Sequence, residues 1–221
     1  MLRYPTAPRS RLFTIARGLR QVPHLRGFSV APARHGPLLN AIKYDHREFE
    51  AFLPHIVDHK TSDERTRYGN LFVWELARYS VAEEMVVCPA MEENLEDGYD
   101  VAKKHRHQIR TMRKQLYQLQ GLEAEDPDYE PTFRDLYSNL QRHVKKEGEH
   151  DIPRLEASLD HNSLLQLSKS FDRTKFLAPT RSHQSSDGAS PFEKVVMLVS
   201  APIDKFVDIF RKFPKVDGPL Q

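Results

Sequence analysis

Apolar and ionisable residues recur in alternating steps of three and four along four stretches of the chain, the spacing of one buried face of an α-helix. The first stretch is Ile42, His46, Phe49, Leu53 and Ile56. A second, Phe72, Leu76, Tyr79, Glu83, Val86 and Ala90, is predicted to begin near Asn70 as N-cap. The third, His105, Ile109, Met112, Leu116 and Leu119, opens after Gly98 and stops at Gly121. The fourth is Phe133, Leu136, Leu140, His143 and Glu147, with Pro131 in its first turn. Between the last two, Glu123 to Glu130 is acidic, contains Pro127 and reads as a loop. Pro54 removes a backbone donor and is expected to kink the first helix or end it early. The pattern predicts an all-α protein: an up-down-up-down four-helix bundle over residues 36–160, with an additional C-terminal helical extension over 161–221.

The inner face of this bundle is chemically unusual. His46, Glu83, His105, His143 and Glu147 share the phase of Leu, Ile, Phe and Met. A carboxylate without a partner is costly to bury. A lone in-phase His is more often a hydrogen-bonded core residue than a ligand. Two Glu and three His together are explained most economically by a bound cation, which compensates the carboxylates and uses imidazole nitrogens. His107 lies about 200° round the helix from His105, at 100° per residue, and takes the place of His105 only if the third helix starts later than Gly98. An internal repeat supports the grouping: His143 and Glu147 are four apart with Pro153 six residues beyond, and Tyr79, Glu83 and Pro89 repeat that spacing.

These residues resemble the hemerythrin-like, or HHE cation-binding, family, whose pattern is a His on helix one, HxxxE on helix two, a His on helix three and HxxxE on helix four. Tyr44-Asp45-His46-Arg47-Glu48 looks like the first element and Tyr79 to Glu83 like the second. Lys104-His105-Arg106-His107 contains the third, and His143-Val144-Lys145-Lys146-Glu147 matches the fourth. The tail around Pro179-Thr180-Arg181-Ser182-His183 is similar in style to fungal members. The resemblance implies a pair of bridged non-haem irons held by His46, Tyr79, Glu83, His105 or His107, His143 and Glu147. It also implies work in O2 or NO binding or sensing, or in iron handling. Tyr79 stands where the pattern has His. Either its phenolate ligates iron, or it fills space and leaves a single iron or an open position, or the site no longer binds metal.

Composition changes the picture mainly at the two ends. Formal net charge is +2, yet no Asp or Glu occurs before Asp45, while seven Arg precede it. Leu12, Ile15, Leu19 and Val22 share one helical face with Arg9, Arg17 and Arg20 roughly opposite, the signature of a mitochondrial transit peptide over residues 1–28. Cleavage after Phe28 would leave a mature chain of about −4, so no nucleic-acid partner is expected and the matrix is the expected compartment. The single Cys88 excludes an internal disulfide framework and reads as a buried, inert thiol. Thr180 to Ser190 reads as a polar linker. Ile203, Phe206, Phe210 and Phe213 form an amphipathic stripe, suited to packing on the bundle or on a second copy, or to peripheral membrane contact. No separate nucleophile is recognisable, which favours a metal- and ligand-binding protein over an enzyme. The competing readings are a metal-free interaction module and a diiron oxidase.

Overall fold

In a computed structural model, which describes residues 36–58, 61–178 and 212–214, every described element is helical. The first rod is α1 (Pro37–Val57). The second runs through α2 (Ser62–Ala82), a π-helical turn (Glu83–Val87) and α3 (Cys88–Asn94). The third is α4 (Gly98–Gln120). The fourth repeats the second: α5 (Tyr129–Lys146), a π-helical turn (Glu147–Asp151) and α6 (Ile152–Ser158). A fifth helix, α7 (His161–Leu177), packs on α1 and α2.

Local chemistry accounts for the helix starts. The N–H groups of Gly36 and Leu39 donate to the Glu156 carboxylate at 3.0 and 2.9 Å, so α6 caps α1. Thr61 accepts from Glu64 N at 3.1 Å, which starts α2 at Ser62 rather than near Asn70. Asp63 and Glu64 in the first turn reinforce that start by facing the positive end of the helix dipole. Pro54 does not end α1 early: it lies exposed in the last turn, and the helix continues to Val57.

The core divides into two levels. At one end Phe49, Phe72 and Phe133 form an edge-to-face aromatic layer, with ring centroids 5.9 and 5.0 Å apart. The ionisable cluster lies at the other end. The π-helical turn shifts the expected phase beyond Glu83, so that Val87 is buried and Val86 only half-buried. On α1, which has no such turn, Phe52 is buried and Leu53 only half-buried.

The additional C-terminal helix is α7, in the span between bundle and linker. Asp160 caps it by accepting from Asn162 N and Ser163 N at 2.8 and 3.2 Å. Phe171 is fully buried with its ring 6.1 Å from that of Tyr79, Lys175 pairs with Asp45, and Arg78 Nε donates to the Lys175 carbonyl at 2.8 Å. Phe213, expected at the end of an amphipathic helix, is not helical. Its carbonyl accepts from Arg67 at 2.8 Å and its ring stands 6.5 Å from Trp74. The expected transit peptide, the expected linker and the rest of the amphipathic stripe lie outside the described residues. Among the described residues no helix is long and apolar enough to cross a membrane.

Candidate metal centre

Both candidate glutamates open a π-helical turn, and the sequence shows why. Pro89 and Pro153 lack the N–H that an α-helix needs, and their rings press on the carbonyl four residues back. A turn with one more residue relieves that contact. The Cys88 N–H therefore bonds to the Glu83 carbonyl, and the Ile152 N–H to the Glu147 carbonyl, five residues back in each case. The internal repeat thus extends to the backbone. Each Glu sits at the widened turn, and each proline follows within the next helix.

Four side chains converge. One ligand atom each from Glu83, His105, His143 and Glu147 lies within 4.8 Å of all the others. Both oxygens of Glu83, Oε1 of Glu147, Nδ1 of His105 and Nε2 of His143 are buried with no hydrogen-bond partner. Buried polar atoms are normally paired, and a cluster of unpaired ones is a cost that needs a compensating group. Two imidazole nitrogens and two carboxylates suit a divalent transition metal, so the residues present fit a bound cation.

The surrounding residues orient these ligands. His105 Nε2 lies 2.8 Å from Asp151 Oδ2, which also accepts from Lys146 Nζ at 2.9 Å. His143 Nδ1 lies 3.1 Å from Gln108 Oε1, leaving Nε2 free to face the cluster. On the α1 side His46 Nε2 stands 3.2 Å from the Tyr79 hydroxyl and 3.1 Å from Glu147 Oε2. The Tyr79 hydroxyl itself donates to Glu147 Oε2.

Burial dominates the electrostatics, and neighbouring charges then sort the groups. Burial pushes the Glu83 carboxyl far above its usual range, and nearby Glu147 pushes it further. Burial pulls the His105 imidazole down, but the hydrogen bond to Asp151 and the charge of Glu83, whose Oε2 lies 3.5 Å from Nδ1, outweigh it and lift it to about 10. His143 is drawn down to about 4 by burial. Burial works against the Glu147 carboxylate, yet the bond from His46 and the field of His143 hold it below its usual range. Burial and the negative Glu147 keep the Tyr79 phenol protonated well above its ordinary range, so it acts as a donor.

Of the residues expected from the sequence, His46, Tyr79, Glu83, His105, His143 and Glu147 all meet here, with His46 and Tyr79 bonded to Glu147 beside the converging four. His107 does not: it is exposed, because two residues of helical rotation carry it to the outer face of α4. The partner that His105 finds is Asp151. The sequence pattern does not single out Asp151, although it continues the four-residue steps from His143 through Glu147. Gln108 carried no signal, being half-buried and between phases. Cys88 is fully buried, and burial pushes its thiol upward.

A family model described as the hemerythrin HHE cation binding domain matches residues 38–155. The chain is 42% identical over 176 residues to an uncharacterized hemerythrin-like protein of Schizosaccharomyces pombe, covering 79% of this chain and 87% of that relative. No solved structure matches.

Proposed function

Since this chain belongs to the hemerythrin HHE cation-binding family, we propose that it is a non-haem iron protein that binds or senses a small diatomic ligand, or handles iron, in mitochondria. The observation that carries the metal reading is the convergence of unpartnered, fully buried atoms from Glu83, His105, His143 and Glu147. Family membership favours iron, and a mixed nitrogen and oxygen donor set is compatible with it. A bound iron would supply a Lewis-acidic, redox-active site for O2 or NO. The chain's own part is to hold the donors in a dry core. Asp151 fixes the tautomer of His105, Gln108 that of His143, and Tyr79 and His46 orient Glu147 by hydrogen bonds. In this reading Tyr79 contributes a proton donor rather than a ligand atom.

Anaerobic reconstitution with ferrous iron is expected to give about one or two irons per chain, and His143→Ala to bring that close to zero. Less than about 0.2 iron per wild-type chain would defeat the metal reading and leave a structural bundle. The spectrum of the loaded protein tests Tyr79: a tyrosinate-to-iron band lost in Tyr79→Phe would overturn its role as a donor. NO is expected to change the spectrum of the ferrous protein, while steady O2 consumption with a reductant would favour an oxidase. The compartment rests on the Arg-rich, acid-free N-terminus. Failure to be imported into isolated mitochondria would count against it, and import without cleavage near Phe28 would count against the proposed processing site.

A further inference from the structure

We propose that the groove between α1 and α5 is the route by which hydrated metal ions and ligands of two or three atoms reach the buried cluster, with His46 as its inner wall and Gly148 holding it open. The proposal rests on the metal-binding reading for its cargo, though not for its geometry. Tyr79, Glu83 and Glu147 are 0% exposed and His105 and His143 1%, whereas His46 retains 9%. His46 is thus the point where the cluster meets solvent. The surface there is concave: a cavity of about 580 Å³ is lined by Lys43, His46, Arg47, Gln141, Lys145 and Gly148, among others. A second void of about 10 Å³, room for about one water, adjoins it along α1 and α5, with Phe49, Tyr137 and Leu140 joining His46 in its lining. His46 borders both, with Nε2 turned inward to Tyr79 and Glu147.

Gly148 explains why the groove stays open. It follows Glu147 directly, and a Cβ built there would lie 3.7 Å from Lys43 Cε and 3.9 Å from His46 Nδ1. Those are ordinary contacts, so alanine fits, but any longer side chain extends between α1 and α5 against the exposed edge of His46. The mouth carries charges of both signs: Lys43, Arg47 and Lys145 with Glu50 and Glu149. A mouth of mixed charge stays hydrated and repels neither cations nor anions strongly.

Stopped-flow uptake of ferrous iron by the metal-free protein, and azide binding to the loaded protein, test this with Gly148→Ala and Gly148→Leu. Alanine is expected to match wild type. Leucine is expected to slow both processes at least tenfold while leaving the final iron content unchanged. A folded Gly148→Leu protein with wild-type rates overturns the proposal. Labelling the metal-free wild type with diethyl pyrocarbonate gives a readout independent of iron and of whether the variant folds. His46 should react well before His105 and His143, and an unreactive His46 or simultaneous labelling of all three overturns the route. If no iron is taken up at all, the metal reading falls and the labelling order alone decides whether the groove leads to the cluster.

Discussion

Replacing Glu83 by Gln raises the melting temperature of the metal-free protein and abolishes the stabilisation that iron confers. Glu83 is fully buried, neither of its oxygens has a hydrogen-bond partner, and burial together with Glu147 disfavours its charge. Glutamine keeps the shape and removes the charge. Relieving a buried carboxylate that has no hydrogen-bond partner recovers a desolvation penalty of several kcal/mol, offset by about 1–3 kcal/mol for the unpaired amide that replaces it. At about 1–2 kcal/mol, the gain for a chain of this size is a few degrees. His105 does not become an isolated cation, because Asp151 stays 2.8 Å from its Nε2. The loaded protein behaves in the opposite way. A ligand at about a hundred times its Kd stabilises by about 2.7 kcal/mol, and that increment disappears with a carboxylate ligand. Paired thermal melts with and without ferrous iron check both signs. A Glu83→Gln protein that melts lower without metal, or that keeps the iron-dependent shift, would show that Glu83 is a structural carboxylate.

That reversal also indicates what could be read from the residues alone. Helical phase identifies a buried position whatever occupies it, so His46, Glu83, His105, His143 and Glu147 stand out because their chemistry disagrees with their burial. Rotation by 100° per residue separates His105 from the exposed His107 for the same reason. Other features were present but weak. Thr61-Ser62-Asp63-Glu64 has the form of a capping box and marks the start of α2 two turns before Asn70. Asp151 is four residues beyond Glu147, yet an acidic residue past the apolar stripe resembles a solvated helix end. The π-helical turns leave only an indirect trace, the six-residue spacing from each Glu to its proline, because nothing local announces a ring of five residues rather than four. Helix α7 was harder still. Phe171 is its only buried apolar residue before the terminal Ala178, and its hold on the bundle comes from Lys175 meeting Asp45 and Arg78, long-range pairings that no periodicity encodes.

Metal affinity is expected to rise about tenfold for each pH unit between about pH 6.5 and 10, with at least one proton released per metal bound. The reason lies in His105. Its Nδ1 is one of the unpartnered atoms facing the cluster, and burial opposes a charge there, yet Asp151 and Glu83 keep the imidazole protonated up to about 10. A metal using Nδ1 must displace that proton. The sign for the metal-free fold is opposite. A histidine raised from 6.5 to about 10 contributes stability fully present below pH 6.5 and lost as pH rises through 10. His143, lowered to about 4, adds a separate acid limb, with stability lost as pH falls from 6.5 towards 4 because the buried imidazole resists the proton it gains on unfolding. The proton that supports the empty site is therefore the one a metal removes. Calorimetric titrations in two buffers of different ionisation enthalpy measure the release directly. In Asp151→Asn the upper limit of the pH-dependent range should move down from near 10, because His105 loses its strongest partner. Affinity independent of pH, with no proton released, would show that His105 is not a ligand and would reduce the centre to the α2 and α5 half-repeats.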